Sequence, residues 1–114
     1  MKVYRAERID GGVLVTVDGQ PLDPARQVRD LGAEGFEWGY EGTGPAQLAL
    51  ALLADLRGPE EALKLYRVFM EVVVSELPPD GWTRDESDFE RRLNEVVVVP
   101  MDLETLLKKV RGEI

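Results

Sequence analysis

The residues of this chain that could do chemistry gather between Arg29 and Arg57. Asp30, Glu34, Glu37, Glu41 and Asp55 occur there with no lysine or arginine among them. Glu37 and Glu41 could work as an acid–base pair if burial separated their pKa values. The carboxylates suit a hard cation by ligand type, but their spacing matches no twelve-residue calcium loop, so a charged, solvated edge is expected and no metal. The same stretch, Gly35 to Pro45, holds four of the eleven glycines and three of the eight aromatic residues. In an extended segment Phe36, Trp38 and Tyr40 share one face. They could form an aromatic floor for a ligand or partner, or a strand that sends all three into the core. Gly42-Thr43-Gly44-Pro45 then opens an apolar run. Backbone N–H groups at such a junction attract phosphate, yet a phosphate loop carries a lysine after its glycines and this one has none. The alternative is a tight helix start, with Gly44 or Thr43 as N-cap and Gln47 reaching back as the distal half of a capping box.

Composition removes other chemistries. With no cysteine and no histidine among 114 residues, thiolate nucleophiles, imidazole-ligated zinc and Ser-His-Asp triads are excluded from one chain. A net charge of −8 argues against nucleic acid as a partner. The start of the chain has no signal-peptide apolar run. The longest apolar stretch, Leu48 to Ala54, is too short for a membrane. A cytoplasmic protein with no membrane partner and no cofactor is expected.

Elements must position the glycine-rich loop. Residues 2–9 and 13–17 read as strands joined by Asp10-Gly11-Gly12, and Val17-Asp18-Gly19-Gln20 leads to a short third strand near Leu22. Residues 46–56 are apolar except Gln47 and Asp55, which predicts a helix buried on most sides. Gly58 stops it and Pro59 starts a second helix over 59–77. There Glu60, Lys64, Arg67, Glu71 and Ser75 form a solvated stripe, with Glu60–Lys64 and Arg67–Glu71 spaced for ion pairs. Leu63, Tyr66, Met70, Val73 and Leu77 face the other way. Pro78 to Gly81 is a turn, and Ser87 with Glu90 predicts a capped short helix over 87–94. Val96 to Val99 reads as a strand, and Asp102 caps a last amphipathic helix with Leu103, Leu106, Leu107 and Val110 on one face.

The stretch GFEWGYEGTGPAQLALALLAD, with VTVDGQPL before it and LPPDGW after, resembles a small bacterial and phage domain family of unknown function. The resemblance covers residues 3–93. It implies a shared fold and a loop-to-helix junction that matters, and it implies no activity. The expectation is one domain over 1–114, with 94–114 as a strand-helix extension. Its fold is α+β: an N-terminal antiparallel meander packed on a helical hairpin, with a C-terminal strand and helix. The expected function is a non-enzymatic binding or protein-interaction module, with residues 95–114 offering a homodimer interface. Its candidate site is Phe36, Glu37, Trp38, Tyr40, Glu41, Gly42, Thr43, Gly44 and Gln47. The alternative is a small-ligand or nucleotide binder at the loop and the N-terminus of the 46–56 helix. A third reading, an acidic mimic of nucleic acid, requires carboxylates clustered on one face.

Overall fold

The computed structural model describes residues 1–95. Its fold is mixed α+β, with a four-stranded antiparallel sheet and helices. Strands β1 (Val3–Ile9), β2 (Gly12–Val17) and β3 (Gln20–Pro21) form the expected meander. A fourth, β4 (Gly81–Asp85), returns to pair with β1, so the sheet runs β3-β2-β1-β4. Alternation along the strands puts Tyr4, Ala6, Val15 and Trp82 on the buried face, as a half-covered antiparallel sheet requires.

Helix α1 (Thr43–Arg57) and helix α2 (Pro59–Val72) form the hairpin, with Gly58 capping the first and Pro59 opening the second. From Pro45 to Leu53 every residue of α1 is buried, Gln47 among them. A helix apolar nearly all round must be covered nearly all round. Here it joins the sheet, α2 and residues 86–95 in one continuous core.

Several local expectations are corrected. Helix α2 ends at Val72 and gives way to a 3-10 turn, Val74–Glu76, short of residue 77. Its buried stripe runs through Ala62, Tyr66 and Phe69 and continues to Val73 just past its end, whereas Leu63 is 42% exposed. Apolar residues flank that stripe on both sides, so their count did not fix the helix's rotation. Neither the Glu60–Lys64 nor the Arg67–Glu71 ion pair forms; the pairs in the described residues lie elsewhere. Residues 86–95 are helical, and Asp85 rather than Ser87 caps them. Its Oδ1 accepts from the Asp88 N–H at 2.9 Å and from the Ser87 hydroxyl at 2.7 Å. Those bonds, the one from Ser87 first, hold the Asp85 carboxyl below the usual range. The Val96–Val99 strand and the helix expected from Asp102 lie outside the described residues.

Five aromatic rings run through the core edge to face. Tyr4, Phe69 and Trp82 each meet Phe89 at 5.6–5.8 Å, and Trp82 meets Trp38 at 6.2 Å. Such T-shaped contacts add to the burial of large rings. They join the sheet, α2 and the helical residues 86–95 to the aromatic loop.

Candidate functional site

The loop between β3 and α1 is not a strand, and its aromatics do not share a face. Trp38 is 1% exposed and Tyr40 is 52% exposed, with Phe36 half-buried. The divergence comes from Gly39, whose φ of +86° turns the chain in a way that L side chains resist. Its N–H donates to the Val74 carbonyl at 3.0 Å. Trp38 is therefore a core anchor: its indole N–H is shared between the Pro78 and Pro79 carbonyls at 3.0 and 3.2 Å. Arg8, on the inner face of β1, lies 4.5 Å over the Trp38 ring. The same guanidinium donates to the Pro79 carbonyl at 2.8 Å and to Glu37 at 3.1 Å. One arginine thus clamps the loop to the sheet.

What the loop leaves open is a groove of about 750 Å³. Phe36, Glu37, Tyr40, Thr43 and Gly44 line one side. The β1–β2 turn at Gly11 to Val13 and the segment at Pro24 and Arg26 line the other, with Glu34 and Gly35 between. Gly44 is required for closeness: a Cβ there would sit 2.9 Å from the Glu37 Cβ and 3.3 Å from the Gly35 carbonyl. Gly42 is the N-cap and its φ of 170° is ordinary extended backbone. It has no side-chain cap, contrary to the expected capping box. Thr43 and Gly44 line the groove, Pro45 has no N–H, and the Ala46 N–H already bonds the Gly42 carbonyl at 3.0 Å.

Of the predicted site, the structure gathers Phe36, Glu37, Tyr40, Thr43 and Gly44 in the groove and places Trp38 and Gln47 in the core. Glu41 is exposed with no hydrogen-bond partner among the described residues, so it lacks the burial that an acid–base pair with Glu37 needs. Gln47, fully buried, does not cap α1. Its Nε2 donates to the Pro24 and Arg29 carbonyls at 2.8 and 3.1 Å, and its Oε1 accepts from the Leu31 N–H at 3.0 Å. The only polar residue in the apolar face therefore ties down the irregular segment 24–31. Sequence reasoning missed Gly11 to Val13, Pro24, Arg26, Glu34 and Gly35. Asp10-Gly11-Gly12 signalled a turn, and nothing in the pattern placed that turn beside the loop.

The carboxylates of 30–55 disperse. Asp30 pairs with Arg26, Glu37 with Arg8, and Asp55 with Lys2. Among the described residues no group of three or more acidic side chains is placed to hold a metal. Tyr4 donates to Asp55 at 2.5 Å, and burial first, then that bond, pushes its hydroxyl well above the usual tyrosine value.

Residues 4–95 match a family of unknown function (DUF6166). The chain belongs to that family. The DUF6166 match spans the meander, the aromatic loop, the helical hairpin, β4 and the helical residues up to 95, close to the span over which the sequence motifs recur. No curated protein and no solved structure matches the chain. Among the described residues no helix is long and apolar enough to cross a membrane.

Proposed function

We propose that this DUF6166 protein is a non-enzymatic protein-interaction module that seats an extended segment of a partner in the groove beside Tyr40. The observation that carries the reading is the outer edge of β2. Val13, Val15 and Val17 turn their backbone polar groups away from β1. Val17 is opposite Gln20 in β3, and the Val15 carbonyl accepts from the Leu22 N–H at 2.9 Å. At Val13 the neighbouring chain has left the sheet, and Pro24 beside it has no N–H to give. Among the described residues Val13 has no backbone partner on that side. An open strand edge is a template for another chain. Partner strands added to such edges gain main-chain hydrogen bonds and read side chains through neighbouring pockets. Phe36 on the groove wall and Tyr40 at its rim supply apolar contact, and tyrosine is a favoured anchor.

The nucleotide reading draws less support. The start of α1 brings only Thr43 and Gly44 to the groove, a thin anion seat, and Glu34 and Glu37 line the same groove. The test is to select binding peptides from a random extended-peptide library and titrate them into isotope-labelled protein. The expected result is that the largest amide shifts fall at Gly12, Val13, Phe36 and Thr43, and that Tyr40→Ala weakens binding by about tenfold. Shifts confined to another surface would overturn the proposal.

A further inference from the structure

A separate cluster, reached by the segment that Gln47 anchors, carries a different inference. Among the described residues Lys2, Arg5, Arg8, Arg26, Arg57, Arg91 and Arg92 each sit against a carboxylate. Arg29, Lys64, Arg67 and Arg84 do not, and the first three lie together, whereas Arg84 stands apart on β4 and donates to the Thr83 carbonyl at 2.9 Å. Arg67 has Glu71 one turn ahead on α2 and still turns to Tyr66, its Nε donating to the phenol oxygen at 3.3 Å. Arg29 stands beside Asp30 in sequence and also reaches the phenol oxygen, at 3.5 Å. Lys64 lies three residues before Arg67 on the same helix, so the two are surface neighbours.

Two guanidinium groups therefore meet at one oxygen in a chain whose net charge is −8. Like charges brought together this way repel unless something between them is negative. Tyr66 is buried. Both arginines donate into its oxygen, so its own O–H hydrogen must point elsewhere, and among the described residues nothing accepts it. That O–H is left open to an incoming acceptor. The arrangement is held from behind: Gln47 grips the Arg29 carbonyl and the Leu31 N–H, which fixes the segment that presents Arg29 to α2. The positive surroundings, Arg67's hydrogen bond first and then Arg29's, also hold the Tyr66 hydroxyl below the usual tyrosine value.

We propose that Arg29, Arg67 and the Tyr66 hydroxyl form a binding site for a phosphate-type tetrahedral oxyanion, with Lys64 at its edge. The charge balance selects the class. One guanidinium saturates the two oxygens of a carboxylate bidentately, leaving the second arginine uncompensated. A phosphate monoester dianion offsets both cations and has an oxygen left for the phenol. The site is distinct from the groove and does not depend on the partner reading.

The test is to titrate inorganic phosphate into the full chain at fixed ionic strength, following tyrosine absorbance and amide shifts. A small phosphate ester, a phosphoserine peptide and acetate are run as parallel arms. Saturable phosphate binding is expected, with acetate weaker. Arg29→Gln and Arg67→Gln should each weaken it about tenfold or more. Tyr66→Phe should abolish the absorbance change, and Arg5→Gln should leave binding unchanged. Circular dichroism of each variant checks that the fold persists. A tighter peptide arm would assign the phosphate to a modified partner, and a tighter small-ester arm to a free metabolite; both support the site. No saturable binding, acetate binding as tightly, or indifference to both arginine variants would overturn it.

Discussion

At the scale of single residues, the clearest assignments come from groups whose partners are far away in sequence. Tyr4 on β1 donates to Asp55 at the end of α1, and Lys2 reaches the same carboxylate at 3.2 Å. Because the folded state raises the Tyr4 hydroxyl, the fold holds a proton that the unfolded chain releases at about pH 10. The stabilisation is therefore complete below that value and is lost as pH rises above it. Asp55, Glu86 and Asp18 all oppose ionisation there. Chemical denaturation of wild type and Tyr4→Phe on either side of about pH 10 should show it. The variant should be about 1–2 kcal/mol less stable at neutral pH, and the gap should close in alkali. An equal gap at both pH values would mean that Tyr4 acts through packing alone. None of this was readable beforehand, since tyrosine and aspartate fifty-one positions apart carry no shared pattern.

At the scale of elements, legibility follows periodicity. The meander was legible because Asp-Gly turns punctuate Val-rich runs, and α1 because only two of its interior residues are polar. Strand β4 was not, since Gly81 to Asp85 mixes a tryptophan with charged residues and lacks a run of β-branched side chains. The loop's aromatic alternation was misleading because Gly39 breaks the extended chain between Trp38 and Tyr40. Two variants test the roles of α1. Leu50 is fully buried, and Leu50→Ala should destabilise the fold by about 2–5 kcal/mol in chemical denaturation. A loss below about 0.5 kcal/mol would mean that α1 is peripheral. Gln47→Leu keeps the volume but strips three bonds from the 24–31 segment. It should cost about 1–3 kcal/mol through the orphaned backbone groups. Hydrogen exchange at the Leu31 amide should speed up while amides in the middle of α1 stay protected. Uniformly faster exchange would show that Gln47 supports the whole core and not one loop.

At the scale of the whole molecule, charge and chain ends set the expectations. Arg5, Arg8 and Arg26 are each tied to a carboxylate, and among the described residues the cations left without one, Arg29, Lys64, Arg67 and Arg84, are too few to hold a duplex against a net charge of −8. Titration with double-stranded DNA at physiological salt should show no binding, because an acidic chain must release several counterions to hold one. A salt-dependent shift would contradict this. The four valines from Val96 would make an adhesive strand if left uncovered, and twofold homodimers are the commonest assembly. A chain ending at Asn94 should accordingly lose stability or change its mass by light scattering. An equally stable, soluble protein of unchanged stoichiometry would remove both roles from 95–114. The aromatic ladder has an optical consequence. The chain has two tryptophans, and they touch edge to face at 6.2 Å, one on β4 and the other rooting the groove loop under Arg8. Intrinsic emission therefore comes from a single buried spot that senses whether the loop is seated. Loop release should redden and weaken that emission while the helical signal persists, giving a label-free readout of anything that pries the groove open.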